Sequence, residues 1–290
     1  MVLRPLGIAS HPEISQIDCI ELVKGLGDAA HYYSGLNADI QHDPRVNMIG
    51  GDGRQFLLTT GNKYHLISSD PTHPVLGSGS LYTRDYFELC KQHLLPGGMV
   101  SQYLPLHKLR LQDFLGIIKT FHSVFPNATV WLGMNHAVLL SAAPYIDFGQ
   151  WSARVASLQR DPYFYGNPYS LAANLLFDGS SIAAFDPRIP INTDDRSYTE
   201  FFNMSAFDEN NLANNLNYVN QHRADVSAVF RNVPDSMMMQ RFVNRNRLLT
   251  DAISANISGN SALFRQKLIE AIKANPENEE LPFLLKFYFK

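Results

Sequence analysis

Three acidic side chains follow short apolar runs in the first quarter of the chain. Glu21 closes the run "QIDCIEL", Asp52 follows "RVNMIGG", and Asp70 follows "KYHLISS". Each run has the length and composition of a buried β-strand, and amphipathic segments separate the runs. Parallel strands joined by helices bring their carboxyl ends to one edge of a sheet, where ligands bind. We therefore expect these three acids to face a ligand crevice.

Carboxylates at such strand ends suit a nucleoside ligand. The two oxygens of Glu21 match the two vicinal hydroxyls of a ribose. Asp52 can accept the exocyclic amine of an adenine, and Gly53 beside it lets the backbone approach the base closely. Asp70 would then face the reacting part of the ligand. The alternative interpretation is that "GDGRQF" and "SDPTHP" are a helix N-cap and an Asx-turn, which use the same aspartates structurally.

The pattern of apolar runs predicts an α/β fold with a mostly parallel sheet that helices cover on both faces. Strands are expected at residues 16–22, 45–52, 63–70, 99–106, 128–134 and 136–143, and helices at 27–34, 53–60, 82–95 and 111–125. The last two strands are joined by very few residues and should form an antiparallel hairpin at one edge. We expect one α/β domain at residues 1–206 and a helical C-terminal extension at residues 207–290.

The composition and net charge of the chain argue against several classes of function. A net charge of -3 gives no electrostatic case for binding nucleic acid. Cys19 and Cys90 lie in separate apolar runs and look like core residues, and the histidines show no pattern typical of a metal site. No run is long enough to span a membrane. We expect a cytoplasmic protein, or the soluble part of a membrane-associated one.

Motifs in the correct order resemble a known family. The runs "HPEISQIDCIELVKGLGDAAHYYS", "DPRVNMIGGDGRQFLL" and "KYHLISSDPTHPVLGSGSLYTRDYFELC" are similar to the polyamine aminopropyltransferases, the spermidine synthase family. In particular they resemble the branch that is fused to bacterial membrane-transporter-like segments. The run "INTDDRSYTEFF" also resembles the closing motif of that branch. The likeness covers roughly residues 8–203. It implies a Rossmann-like sheet of the class I methyltransferase type in residues 1–206, shortened at its N-terminus.

The resemblance implies a reaction and roles for the three acids. Family members transfer the aminopropyl group of decarboxylated S-adenosylmethionine, a co-substrate, to an amine such as putrescine, and they hold no permanently bound cofactor. Asp70 matches the acid that removes a proton from the attacking amine. Glu21 matches the acid that binds the ribose, and Asp52 matches the acid that binds the adenine.

The part of the site that is expected to bind the amine departs from the pattern of the family. The family places a second, amine-binding acid three residues after the catalytic one, and this chain has His73 there. We expect Tyr82 and Gln102 to line the same pocket, although Tyr82 could equally cap the core and Gln102 could act from behind the pocket. Asp194 and Asp195 either face the site or anchor a turn.

The family's first strand, its glycine-rich nucleoside loop and its small N-terminal β-domain would precede residue 8. Without that strand the sheet would leave a gap between its neighbours. The chain is therefore a fragment, a shortened gene product, or one part of a site that a second copy or a membrane-embedded segment completes. Two other functions stay open, a methyltransferase that uses S-adenosylmethionine and a catalytically silent binding or regulatory domain.

Overall fold

The computed structural model divides the chain into two compact units, residues 1–64 and 65–290. It describes residues 8–9, 11–23, 25–34, 39–71, 77–133, 136–141, 143–157, 166–201, 210–276 and 281. Each unit is considered by itself below.

The first unit is built on a pair of parallel strands. Strands β1 (Ile17–Glu21) and β2 (Val46–Gly50) pair from Ile17 opposite Val46 to Glu21 opposite Gly50. Ala9, Ile17 and Ile40 form a small buried apolar cluster in this unit. The helices are α1 (Leu26–Ala29), which continues as a 3₁₀ turn, and α2 (Gly53–Thr59), which follows β2. The strand-helix alternation predicted for this region is confirmed.

The second unit contains a five-stranded sheet. The strands are β3 (Tyr64–Ser69, whose first residue belongs to the first unit), β4 (Leu94–Pro105), β5 (Ala128–Leu132), β6 (His136–Ser141) and β8 (Leu175–Phe177). Their spatial order is β3-β4-β6-β5-β8. A short parallel pair, β7 (Ile146–Asp147) with β9 (Phe230–Arg231), lies outside this sheet.

Strand β6 reverses the direction of the sheet. It pairs antiparallel with β4 on one side and with β5 on the other, so β4 and β5 run in the same direction. The predicted antiparallel hairpin of β5 and β6 is thereby confirmed. Strand β8, which the sequence pattern did not predict, pairs antiparallel with β5 and is an edge strand of the sheet. All three residues of β8 are buried.

Two helices pack together beside the sheet. They are α3 (Arg84–Gln92) and α4 (Leu111–Val124), and the rings of Phe87 and Phe121 meet edge to face with their centroids 5.0 Å apart. The predicted helix over residues 82–95 was wrong at its end, because β4 already begins at Leu94. Gly97 adopts a φ of 76°, a conformation that glycine tolerates, so the strand passes through the Pro-Gly-Gly stretch instead of starting after it.

The remaining helices belong to the second unit as well. They are α5 (Phe148–Ser157), α6 (Pro168–Ala172), α7 (Gly179–Ala183), α8 (Asn210–Gln221), α9 (Ser236–Ile257) and α10 (Ser261–Ala274). Helix α8 is fixed to the turn after β4. The buried Asn215 donates from Nδ2 to the carbonyls of Leu106 and Leu109, both at 2.8 Å. The C-terminal helices are therefore packed against the α/β part rather than tethered to it.

The α/β class and the helical C-terminal part agree with the sequence prediction. The boundary predicted between residues 206 and 207 lies outside the described residues, so the division there stays a prediction. Within the described part of the chain, no helix has the length and apolar character needed to cross a membrane.

Candidate active site

Glu21 is the last residue of β1 and is buried, with 7% of its surface exposed. Its Oε1 accepts a hydrogen bond from the backbone N–H of Val23 at 3.0 Å. The local turn therefore orients the carboxylate through one oxygen. The second oxygen has no hydrogen bond among the described residues, which leaves an acceptor for a ligand hydroxyl.

Asp52 follows β2 and caps the next helix. Its Oδ1 accepts from the backbone N–H of Gln55 at 2.8 Å, which satisfies one of the free N–H groups at the start of α2. The side chains of Asp52 and Gln55 are exposed. The capping role weighed in the sequence analysis is confirmed. A role in binding adenine, with Gly53 as the first helical residue beside it, stays a prediction.

The first unit brings Glu21 and Asp52 to adjacent strand ends. Glu21 is paired with Gly50, and its carbonyl accepts from the N–H of Gly51 at 2.9 Å. Burial, and then the negative charge of Glu21, raise the pKa of the Cys19 thiol on the same strand. This edge of the unit therefore carries a carboxylate next to a glycine-rich turn, and its role in binding a ribose and its base stays a prediction.

Asp70 directly follows β3 and is half-buried. It opens the loop between β3 and α3, residues 70–83, which is called the β3–α3 loop below. His73 lies outside the described residues, as do its neighbours at 72 and 74–76. The three predicted acids thus fall in two units, Glu21 and Asp52 in the first and Asp70 in the second.

Tyr82 ties the two ends of the β3–α3 loop together. Its side chain is fully buried in a 3₁₀ turn, Gly79–Tyr82, and its hydroxyl donates to the carbonyl of Pro71 at 3.2 Å. Because Pro71 is the residue after Asp70, this hydrogen bond holds the backbone next to the predicted base. A role for Tyr82 in contact with substrate stays a prediction.

Gln102 lies on β4, opposite Leu139 of β6, and is fully buried. Its Nε2 donates to the carbonyl of Tyr103 at 3.2 Å, whereas its Oε1 has no hydrogen-bond donor among the described residues. A buried acceptor without a donor costs about 1–3 kcal/mol. Such an oxygen can accept a hydrogen bond from a ligand or from a buried water, and a role for Gln102 in binding substrate stays a prediction.

A segment that the sequence analysis did not assign to the site packs on the β3–α3 loop. Asn192 donates to the carbonyl of Tyr82 at 3.0 Å, and Glu200 Oε2 accepts from the N–H of Gly77 at 3.2 Å. The motif "INTDDRSYTEFF" could have indicated this segment from the sequence. Within it, only Asp194 and Asp195 were weighed as site residues. The residues that bond to the loop include Asn192, Thr199 and Glu200 as well as Asp194.

Two other features of the described residues bear on the chemistry, the absence of a metal site and a cleft away from Asp70. No group of histidine, cysteine and acidic side chains among them could hold a metal ion. A cleft of about 920 Å³ lies on the C-terminal helices, lined by residues that include Arg223, Arg241 and Arg247. Its lining includes neither Asp70 nor Gln102, so it is separate from the predicted amine side of the site.

Comparison with known proteins finds a likeness in the first part of the chain. The family described as the spermine/spermidine synthase domain matches residues 6–134. Spermidine synthase 2 of Arabidopsis thaliana is 33% identical over 112 residues, which is 37% of this chain and 33% of that protein. A polyamine aminopropyltransferase of Clostridium perfringens is 27% identical over 157 residues, which is 53% of each chain. The chain thus spans about half or less of the length of these relatives.

Solved structures give a weaker likeness. A spermidine synthase in complex with the transition-state analogue AdoDATO has a TM-score of 0.43 and 18% identity, covering 53% of this chain and 56% of that one. The spermidine synthase of Thermotoga maritima has a TM-score of 0.41 and 17% identity, covering 71% and 62%. The sequence match is the stronger finding: residues 6–134 are similar to the spermine/spermidine synthase domain.

Proposed function

We propose that this protein transfers the aminopropyl group of decarboxylated S-adenosylmethionine to an amine such as putrescine, with release of 5′-methylthioadenosine. The observation that carries the proposal is the position of Asp70 directly after β3, inside the segment that matches the spermine/spermidine synthase domain. The chemistry of an alkylamine explains why an acid is needed there.

An alkylammonium group has a pKa near ~10, so at neutral pH its nitrogen lacks a free lone pair. In the proposed reaction Asp70 first attracts the ammonium and then takes its proton. The nitrogen lone pair forms a bond to the carbon beside the sulfonium, the carbon–sulfur bond breaks, and its electron pair stays on sulfur. Sulfur becomes the neutral thioether of 5′-methylthioadenosine. Positioning of amine and carbon supplies much of the remaining rate enhancement.

The nucleoside is assigned to the acids of the first unit. The free oxygen of Glu21 accepts from a ribose hydroxyl, and Asp52 accepts from the adenine amine with Gly53 close to the base. What supports this assignment is the pairing of β1 with β2, which ends both strands at the same edge. Because Oδ1 of Asp52 already caps α2, its second oxygen is the one assigned to the base.

The amine is assigned to side chains of the second unit. The unpaired Oε1 of Gln102 suits an ammonium donor, and Tyr82 holds the loop beside Asp70. His73 replaces the second acid of the family, so we expect weaker binding of a diamine here than an acid would give. An amine with a single charge is a reasonable alternative acceptor.

Calorimetry separates the proposal from its alternatives. Titration with decarboxylated S-adenosylmethionine and with 5′-methylthioadenosine should release heat, and a product assay with putrescine should then detect the aminopropylated amine. S-adenosylmethionine serves as the control donor, because methyl transfer from it would indicate a methyltransferase. The absence of heat from either nucleoside at high micromolar concentration would favour a silent binding domain.

Asp70→Asn tests the base directly. This variant should abolish turnover and spare binding of 5′-methylthioadenosine, because the amide cannot take the proton. The matched control is Asp195→Asn, an exposed aspartate that makes no side-chain hydrogen bond among the described residues. Loss of nucleoside affinity in Asp70→Asn would contradict the assignment. Turnover that rises more steeply than protein concentration would indicate a homo-oligomer, and turnover that requires an added membrane-embedded segment would indicate that partner.

A further inference from the structure

One end of residues 192–200, called the clamp segment below, is bonded to residues 77 and 79 of the β3–α3 loop. Glu200 Oε2 accepts from the N–H of Gly77 at 3.2 Å, and the hydroxyl of Thr199 donates to the carbonyl of Gly79 at 3.0 Å. A Cβ added to Gly79 would lie 2.7 Å from Glu200 Oε1. Glycine at position 79 therefore permits the carboxylate to approach the loop backbone this closely.

The first residue of the clamp segment, Asn192, is fully buried and makes several hydrogen bonds. Asn192 Nδ2 donates to the carbonyl of Tyr82 and to the hydroxyl of Thr199, both at 3.0 Å. Its Oδ1 accepts from the N–H of Tyr198 at 3.1 Å, and its backbone carbonyl accepts from the N–H of Arg84 at 2.8 Å. A buried amide satisfied on both sides in this way specifies one arrangement of the groups around it.

The clamp segment also holds the start of α3. The hydroxyl of Thr83, the N-cap residue of that helix, donates to Asp194 Oδ1 at 2.7 Å. In return the N–H of Asp194 donates to Asp85 Oδ2 at 3.0 Å. The loop is thus bonded to the clamp segment at Gly77, Gly79, Tyr82 and the first residues of α3.

We propose that the clamp segment locks residues 77–83 of the β3–α3 loop and thereby positions Asp70, with Asn192, Thr199 and Glu200 as positioning residues. The link to Asp70 runs through Tyr82, whose carbonyl is held by Asn192 and whose hydroxyl holds the carbonyl of Pro71. The effect on catalysis rests on the proposed function, whereas the lock on the loop does not. A displacement of about 1 Å at a reacting group can cost about 100-fold in rate, so a loosened loop should slow transfer.

Hydrogen exchange measured by mass spectrometry on the full chain tests the lock without any substrate. The variants are Glu200→Ala, which removes the acceptor of Gly77, and Thr199→Val, which removes the donor to Gly79 while preserving side-chain shape. We expect amides in residues 77–83 to exchange about tenfold faster in both variants. The control is Asp195→Ala, in the same segment but without a side-chain hydrogen bond among the described residues. Its exchange should match that of the unsubstituted chain.

The kinetic arm measures aminopropyl transfer to putrescine. Both variants should lower kcat by about tenfold or more and leave the affinity for 5′-methylthioadenosine unchanged. Exchange equal to that of the unsubstituted chain in both variants would overturn the lock. Faster exchange with an unchanged kcat would overturn the positioning role. If the unsubstituted chain transfers no aminopropyl group, the proposed function fails, and the exchange data alone decide whether the clamp exists.

Discussion

The hydrogen bond from Tyr82 to Pro71 should stabilise the second unit by a measurable amount. Tyr82→Phe removes the hydroxyl and keeps the ring in its fully buried place. The net loss for a neutral hydrogen bond is about 1 kcal/mol, and it rises toward about 3 kcal/mol if the carbonyl of Pro71 stays shielded from water. For a unit of this size, each kcal/mol should lower Tm by about 2–4 °C.

Urea unfolding followed by circular dichroism measures this loss. We expect a lower midpoint with an unchanged m-value, because the substitution alters stability and not the surface exposed on unfolding. Tyr145→Phe is the matched control, since Tyr145 is 54% exposed and its hydroxyl makes no hydrogen bond among the described residues. Equal midpoints for Tyr82→Phe and the unsubstituted chain would show that the hydroxyl does not hold the loop.

Three further substitutions probe other contacts. Gly116→Ala should lower the free energy of unfolding by about 1–3 kcal/mol, because its Cβ would clash with the hydroxyl of Tyr198, and urea unfolding measures this. Glu21→Gln should speed alkylation of Cys19 by iodoacetamide at pH 8, because removing the nearby negative charge lowers the raised pKa of the thiol and increases the thiolate fraction. Gln102→Leu should leave stability unchanged or raise it by about 1–2 kcal/mol, while KM for putrescine rises.

Each of these predictions has a distinct contrary outcome. Alanine inside an exposed helix normally stabilises relative to glycine, so a stabilised Gly116→Ala would show that Tyr198 moves aside freely. Glu13→Gln removes a more exposed carboxylate of the same unit and should leave the alkylation rate of Cys19 unchanged. A strongly destabilised Gln102→Leu would mean that the glutamine serves the fold and not a ligand.

The parts of the fold that follow from local patterns were predictable. Strands β1, β2 and β3 and the acids after them are visible because an apolar run and its terminal carboxylate lie within a few residues of each other. Strand β8 was missed because its three residues are too short a run to separate from a loop. The early start of β4 was missed because only the backbone of Gly97, with its positive φ, shows that the strand continues through the turn.

The clamp segment lay beyond sequence reasoning for a different reason. Its hydrogen bonds to the loop and to the start of α3 join residues 108 to 123 positions apart, and no periodicity connects such partners. Within "INTDDRSYTEFF" the charged Asp194 and Asp195 attracted the functional interpretation, although the neutral Asn192 and Thr199 are fully buried. An uncharged amide carries no sequence signal that distinguishes a buried network from an exposed turn.

The fully buried amide side chains of Asn192 and Gln102 differ in whether all of their polar atoms are hydrogen-bonded. Both polar atoms of the Asn192 side chain are bonded to the chain itself, which is what a positioning residue requires. Gln102 is equally buried, yet its Oε1 lacks a donor among the described residues, and an apolar side chain of similar size would avoid that cost. Asn215 Oδ1 is unpaired in the same way although that amide holds the turn after β4, so the unpaired oxygen alone does not assign a ligand to Gln102. Asn192 therefore fits the proposed frame of the candidate site, whereas a role for Gln102 in binding the amine stays a prediction.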